Sequence, residues 1–183
     1  MSATLSAQKP EVPSLRPPVL AALVYPQNKY PGPVFEALVA SSRSRGLSLA
    51  GVLQHLVDAA PSRRCDVVLE DLATGRRTAI FEDRGAHAVG CRLDEAALAE
   101  VAARIEDSLE GAPDLLVLNK FGKAECGGGG LLDLVASAMD LEISVVIGVP
   151  RSNLDAWRRF AGDFGIELCG EKDEIERFVE SIM

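Results

Sequence analysis

The chain has 183 residues, of which 48% are apolar and 25% are charged, and its formal net charge is −8. This length can bury the core of one globular domain. The acidic balance argues against a nucleic-acid-binding protein, because phosphate contacts require clustered Lys and Arg. The longest apolar run is short and ends at Pro26, which argues against insertion into a membrane.

The N-terminal segment predicts a leader that precedes the domain. Met1 to Pro18 contains four prolines and lacks the apolar region of a signal peptide. This composition is typical of disorder. We therefore expect residues 1–18 to form a leader and residues 19–183 to form a single domain of a cytoplasmic protein.

The first elements of the domain predict a β-α-β unit. Val19–Tyr25 is a continuous apolar run ended by Pro26, which is typical of a strand buried on both faces. Pro33 suits the first position of a helix that would end at Gly46. Leu49–His55 predicts the next strand, reached by a right-handed crossover.

The middle of the chain predicts a β-hairpin and then a helix. Strands at Cys65–Leu72 and Arg77–Phe81 would flank a turn at residues 73–75, which contains a glycine. Asp94 is placed to cap the helix. The apolar face of this helix would consist of Leu98, Val101, Ile105 and Leu109.

The α/β alternation returns after the hairpin. Leu115–Leu118 and Ser144–Val149 predict buried strands, and the glycine run Gly127–Gly130 precedes a helix. Ser152–Asp155 matches the S-x-x-[DE] start of another helix, which would end at Gly165. The apolar stripe of that helix would contain Leu154, Trp157, Phe160, Ala161 and Phe164. The last predicted elements are a strand at Ile166–Cys169, with Cys169 in the core, and a helix carrying Ile175, Phe178, Val179 and Ile182.

This order of elements predicts an α/β domain. Its sheet would be mostly parallel and sandwiched by helices, with an inserted β-hairpin. Ligands of such sheets bind at the carboxyl ends of the strands, which directs attention to the loops there.

The loop after the first strand occupies the place of a Walker A loop. A working P-loop ends in Gly-Lys-[Ser/Thr], whose N–H groups and lysine hold phosphates while the hydroxyl holds magnesium. Here Gly32 is followed by Pro33 and Val34, which supply neither a lysine nor a hydroxyl. Lys29 offers a charge at a different spacing. We expect the loop's Tyr25, Gln27 and Tyr30 to lie on the surface, with a pocket-lining role as the alternative.

The strand Leu115–Leu118 ends where a Walker B strand would carry Asp and Glu. Asn119 and Lys120 stand there instead, and neither gives magnesium the negative charge that it needs. Metal-dependent hydrolysis is therefore disfavoured, and we assign no metal site and no catalytic residue.

Three segments carry a resemblance to a known family. They are Asp71 to Arg77, Val89 to Asp94, and Asp114 to Glu125. Together they resemble the small nucleoside triphosphatases first known from thermophiles, with Gly122, Lys123 and Glu125 kept. The Asn-Lys-Phe-Gly-Lys run resembles still more closely an uncharacterised bacterial domain family whose members are often described as molybdenum-transport or nucleoside-triphosphatase-like proteins. The resemblance implies a P-loop NTPase-like fold with degenerate Walker motifs.

The charged residues beside the strand ends suggest an anion site. Glycines 127–130 would offer backbone N–H groups beside these charges. The ligand would be phosphate, molybdate, tungstate or a nucleotide, and no cofactor is assigned. The alternative is that the charges are solvated or paired with nearby acids. The candidate residues are Lys29, Arg92, Asn119, Lys120, Lys123, Glu125, Gly128 and Arg151.

The four cysteines contain no C-x-x-C pair, so we expect reduced thiols. Cys65, Cys91 and Cys126 would form a metal site only if the hairpin folded over the loop at Asn119. His55, at a strand end, is not assigned as a catalytic base.

The sequence thus favours a non-hydrolytic ligand-binding or accessory protein, involved in molybdate or nucleotide handling. One alternative is an active nucleoside triphosphatase or phosphotransferase with an atypical site. Another is an interaction module that docks on a molybdate transporter or a metalloenzyme.

Overall fold

Strands and helices alternate along most of the chain. The computed structural model describes residues 17–27, 29–56, 67–82 and 92–183. The strands are β1 Leu20–Tyr25, β2 Leu49–Leu56, β3 Val67–Asp71, β4 Arg77–Ala79, β5 Phe81–Glu82, β6 Arg92–Leu93, β7 Leu115–Leu118, β8 Ser144–Pro150 and β9 Gly165–Leu168. The helices are α1 Gly32–Ser44, α2 Glu95–Leu109, α3 Lys123–Cys126, α4 Leu132–Asp140, α5 Leu154–Ala161 and α6 Lys172–Ser181.

The main sheet has the strand order β4-β3-β2-β7-β8-β1-β9. Five neighbouring strands of this sheet are parallel, namely β2, β7, β8, β1 and β9. Strands β3 and β4 extend the sheet beyond β2 as an antiparallel hairpin. Strands β5 and β6 form a separate antiparallel pair. The predicted α/β fold with a mostly parallel sheet and an added hairpin is confirmed.

Helices cover both faces of the sheet, and the strands alternate between two cores. Val145 and Ile147 on β8 belong to the core that α2, α4 and α5 cover. Val146 between them faces the core under α1 and α6. A strand with this alternation must be apolar on both faces, which explains why β1, β7 and β8 are continuous apolar runs.

Two predicted helix starts are confirmed. Helix α1 begins at Gly32 with Pro33 in its first turn, where the missing proline N–H costs no hydrogen bond. Helix α2 is capped by Asp94, whose Oδ1 accepts the N–H of Ala97 at 2.9 Å.

The predicted second strand of the hairpin is too long. Strand β4 ends at Ala79, and the next residue, Ile80, is buried in the core. Phe81 belongs to β5 and pairs with Leu93 of β6. The predicted first strand of the hairpin begins at Cys65, which lies outside the described residues, and its described part, β3, ends at Asp71.

The predicted bounds of the helix after β8 are wrong at both ends. Residues 151–153 form a 3₁₀ turn, and no side chain caps α5, because Ser152 Oγ donates to Gln27 instead. The helix ends at Ala161, since Gly162 has a φ of 53°. Phe164 therefore leaves the apolar stripe and is 80% exposed.

The last strand also differs from the prediction. Strand β9 ends at Leu168, and Cys169 beyond it is exposed, not in the core. Its apolar neighbours in the sequence suggested a core position, but Cys169 lies beyond the end of the strand and is followed by Gly170, whose φ is 84°. Helix α6, the last element, is confirmed.

Candidate functional site

Three neighbouring strands of the parallel sheet, β7, β8 and β1, end at one edge. The described residues of the loops that follow them are 119–122, 151–153, and 26–27 with 29–31. Ser152 Oγ donates to Gln27 Oε1 at 2.5 Å, which joins the β8 loop to the β1 loop. Asn153 Nδ2 donates to the carbonyl of Phe121 at 2.8 Å, which joins the β8 loop to the β7 loop. The three loops therefore form one connected surface, which we call the carboxyl edge.

Four of the predicted cations lie on this surface. Lys29 is in the β1 loop, Lys120 and Lys123 follow β7, and Arg151 follows β8. All four side chains are exposed, and none forms an ion pair with a carboxylate among the residues that the structure describes. The structure thus brings together on neighbouring loops the lysines and the arginine that the sequence predicted there.

Asn119 is held by its neighbours on both sides. Its Nδ2 donates to Gln54 Oε1 on β2 at 3.0 Å. Its carbonyl packs against Gly148 on β8 so closely that a Cβ at that position would lie 2.5 Å from the oxygen. The N–H of Phe121 donates to the carbonyl of Gly148 at 2.7 Å. Glycine at position 148 is therefore what allows the β7 loop to continue along β8.

Glu125 holds the loop together from inside. The residue is only 8% exposed. Its Oε2 accepts the N–H of Gly122 at 2.7 Å, and its Oε1 accepts the N–H of Leu131 at 2.9 Å. The sequence suggested a ligand contact for this carboxylate, but both oxygens already accept backbone N–H groups. The structure shows Glu125 stabilising the turn that presents Lys120 and Lys123.

The glycine run is not an open cradle of N–H donors. The N–H groups of Gly127 and Gly129 donate to the carbonyl of Ala124, and that of Gly128 donates to the carbonyl of Glu125 at 3.1 Å. These bonds close the short helix α3, which the sequence did not predict. The N–H of Gly128 is thus already used by the loop, and an anion contact of Gly128 stays a prediction.

The remaining predicted site residues lie elsewhere or outside the described ranges. Arg92 is in β6, which pairs with β5 and not with the parallel strands. Cys126 is exposed in α3, whereas Cys65 and Cys91 lie outside the described residues, so their convergence stays a prediction. Within the described part of the chain, no three His, Cys, Asp or Glu side chains cluster in a way that would hold a metal.

Two tyrosines and a phenylalanine pack above the β1 loop. The ring of Tyr30 stacks on Phe35, with centroids 5.5 Å apart, and meets Tyr25 edge-on at 6.0 Å. Burial raises the pKa of Tyr25 to about 12 and the pKa of Tyr30 further still, so both phenols are neutral at physiological pH. The expectation that both lie on the surface is corrected, because Tyr25 is only 5% exposed and Tyr30 is half-buried.

The start of α1 has few donors left for a phosphate. Pro33 has no N–H, and the N–H groups of Val34 and Phe35 both donate to the carbonyl of Pro31. At these three positions, therefore, the N–H group is either missing or already bonded within the loop.

A pocket of about 310 Å³ opens between the β1 loop and the β9–α6 connection. A second cavity of about 290 Å³ shares Pro33, Val34 and Gly170 with it and continues along α1 and α6. Tyr25 and Tyr30 line this pocket, a role that was only the alternative in the sequence analysis. The sequence did not indicate that Cys169 and Gly170 form the opposite wall of the pocket, because the two walls come from segments far apart in the chain.

The order of the parallel strands, with helices on both faces, defines a P-loop NTPase-like fold. THEP1 from the hyperthermophile Aquifex aeolicus has this fold, with a TM-score of 0.61 over 90% of this chain and 96% of that one. A human cancer-related nucleoside triphosphatase gives a TM-score of 0.57 over 90% and 95% of the two chains. The sequence identities are 16% and 12%, so these similarities concern the fold alone.

Residues 20–178 match the profile of the family described as "Protein of unknown function (DUF2478)", and the chain belongs to this family. A relative from Bradyrhizobium diazoefficiens, "Molybdenum import ATP-binding protein ModC 2", is 34% identical over 131 residues. The match spans 72% of this chain but only 15% of the relative. The expected membership of an uncharacterised domain family with a molybdenum-named relative is confirmed, and the expected similarity to small nucleoside triphosphatases is confirmed for the fold.

The described helices include none that is both long enough and apolar enough to cross a membrane.

Proposed function

We propose that this protein is a non-hydrolytic binding or accessory protein that holds an anion at the carboxyl edge of its sheet. The observation that carries the proposal is the set of four exposed cations, Lys29, Lys120, Lys123 and Arg151, which have no carboxylate partner among the described residues. In a chain with a net charge of −8, acids are available to pair with every cation. A basic surface in such a chain favours a ligand that brings its own negative charge.

The absence of hydrolysis follows from the residues at the two positions where nucleotide hydrolysis needs specific groups. Pro33 and Val34 stand in place of the lysine and the hydroxyl that hold phosphate and magnesium. Asn119 stands in place of a magnesium-binding aspartate, and its amide is engaged with Gln54. Lys120 beside it repels a cation.

The ligand is a phosphate-like oxyanion, with molybdate as the leading example, or a nucleotide. Two similarities support this range: the fold of the two nucleoside-triphosphatase neighbours and the name of the ModC relative. On this proposal the chain is a single domain over residues 19–183 and works in the cytoplasm.

A thermal-shift experiment tests the proposal. The purified chain is heated with phosphate, molybdate, tungstate, ATP or GTP, each with and without magnesium. We expect oxyanions or nucleotides to raise the melting temperature without any need for magnesium, since a ligand that binds only the folded state stabilises it. Lys123→Ala should remove the shift. Arg177→Ala is the matched control, because Arg177 is an exposed cation on α6, away from the carboxyl edge.

Other results would contradict the proposal. A shift that requires both nucleotide and magnesium, with phosphate release that is lost in Lys123→Ala, would establish an active nucleoside triphosphatase instead. If no ligand raises the melting temperature, the anion site is refuted and the interaction module becomes the favoured function. One observation favours that module: the stretch of the ModC relative that matches this chain is only 15% of it, so most of that protein lies outside the match.

A further inference from the structure

We infer that the pocket beside Lys29 binds the flat aromatic ring of a nucleoside phosphate, whose phosphate rests on the cations of the carboxyl edge. The inference rests on the proposed function and narrows its ligand from any anion to one that carries a ring.

The walls of this pocket suit an uncharged ring. They are formed mainly by apolar groups, including Leu23, Pro31, Val34 and the ring of Tyr25. A free oxyanion would lose its hydration there without gaining enough hydrogen bonds, which is strongly unfavourable. A flat aromatic ring loses little by leaving water and gains contact with the walls.

The pocket also has a size limit and a charged rim. Ligand pockets commonly span roughly 300–1,000 Å³, so this pocket of about 310 Å³ lies at the lower end of that range and has room for one ring system. Lys29 is the one charged residue among the described residues that line it. Through the bond between Gln27 and Ser152, the loop that carries Lys29 lies against the loop that carries Arg151. The phosphate, which is joined to the ring through the sugar, would therefore lie over Lys29 and Arg151.

The far wall of the pocket is fixed in place. Glu174 Oε2 accepts the N–H groups of Cys169 and Gly170, at 2.6 and 3.0 Å. Gly170 has a φ of 84°, and a Cβ there would lie 3.2 Å from Val34 Cγ1. Any side chain at position 170 would be strained and would narrow the pocket. Only glycine leaves the space open.

Two exposed thiols make the inference testable in the unaltered chain. Cys169 lines the pocket, whereas Cys126 lies in α3, the helix that begins at Lys123. The alkylation rate of each cysteine by iodoacetamide is measured by peptide mass spectrometry with adenosine 5′-monophosphate, guanosine 5′-monophosphate or ribose 5-phosphate. The sugar phosphate is the matched control, because it carries the same phosphate without a ring.

We expect at least one nucleoside monophosphate to slow alkylation of Cys169 by fivefold or more, while ribose 5-phosphate leaves that rate unchanged. Both the nucleoside monophosphate and ribose 5-phosphate should slow the alkylation of Cys126. If Cys126 is protected but Cys169 is not, or if the sugar phosphate protects Cys169 equally, the ring pocket is refuted while the anion site stands. Protection of Cys169 alone supports the ring pocket and refutes a contact between the phosphate and Lys123. Protection of neither refutes both.

A pocket-filling variant separates direct contact from a distant effect. Val34→Phe places a larger side chain in the pocket and should abolish protection of Cys169 without changing protection of Cys126. Val34→Ala enlarges the pocket and should retain protection of Cys169. If Val34→Phe retains full protection of Cys169 and melts as a folded protein, the ring does not occupy this pocket.

Discussion

At the hairpin edge of the sheet, Arg76, Arg77 and Arg104 each lie within 2.9 Å of a carboxylate, on Glu100 or Glu70. At the carboxyl edge, four cations have no such partner among the described residues. Both surfaces belong to the same acidic domain, so the supply of carboxylates does not explain the difference. At the hairpin edge the charges pair with one another: Arg76 with Glu100 joins the hairpin turn to α2, and the other two pairs lie within the hairpin and within α2. The carboxyl edge leaves its charges available to a ligand, and the two edges should respond differently to the loss of a charge.

The largest expected effect is at the hairpin edge. Asp71 is 3% exposed, its Oδ1 accepts the N–H groups of Ala73 and Thr74, and its Oδ2 lies 3.7 Å from Arg104. We expect Asp71→Ala to lower the free energy of unfolding by about 4 kcal/mol, because it leaves a half-buried arginine and two N–H groups without their acceptor. Urea denaturation measures the loss. The exposed Glu100→Gln should cost about 1 kcal/mol or less, and an equal loss in both variants would contradict the comparison.

The second effect concerns Glu125, the buried carboxylate beside the carboxyl edge. Glu125→Ala should lower the free energy of unfolding by about 3 kcal/mol, because the N–H groups of Gly122 and Leu131 lose their acceptor. The response to anions should disappear as well, since the turn that presents Lys123 loses its support. Glu125→Gln keeps one acceptor oxygen, so its free energy of unfolding should lie between that of Glu125→Ala and that of the natural protein. A normal anion response in Glu125→Ala would show that the turn does not depend on this side chain.

The third effect is a dependence on alkaline pH. The chain has only two tyrosines, and burial raises the pKa of both above the ordinary value of 10, that of Tyr25 to about 12. The folded state holds the neutral phenols, so their contribution to stability is complete below pH 10 and is lost as the pH rises towards 12. The loss at Tyr25 should amount to about 2 kcal/mol. Tyrosinate absorbance should show no titration near pH 10 until the protein is unfolded, and a full titration there would contradict the packing.

The smallest effect should come from the unpaired lysines. Lys120→Ala combined with Lys123→Ala should change the free energy of unfolding by no more than about 0.5 kcal/mol in the absence of ligand, because no described partner is lost. Urea denaturation at low salt checks this, with Arg77→Ala as the paired counterpart. A loss above 1 kcal/mol would mean that these lysines have a structural role and that the contrast between the two edges is false.

Most of the fold was predictable from the sequence, since the apolar strands and the helix signals at Pro33 and Asp94 are local patterns. The prediction failed where a long-range contact decides the outcome. Ser152 donates to Gln27 instead of capping α5, a partner 125 residues away.

The site was predictable in its charges but not in its backbone. A lysine beside a strand end remains exposed in almost any loop geometry, so Lys120 and Lys123 lie where the sequence placed them. The glycine run suggested free N–H groups, but whether an N–H is free depends on the loop's own carbonyls. The contacts that Glu125 and Gly128 make within the loop around α3 were for this reason not foreseen.

The outermost strand β9 has a practical consequence. Phe164, 80% exposed, precedes it, and Ile166 within it is 42% exposed, beside backbone groups that no described strand pairs. Concentrated solutions of the isolated chain will tend to associate through this margin, because an apolar unpaired strand recruits others. Replacing Phe164 with lysine is therefore the first change to make when preparing the protein for spectroscopy, as it adds charge at the exposed margin without removing a core contact.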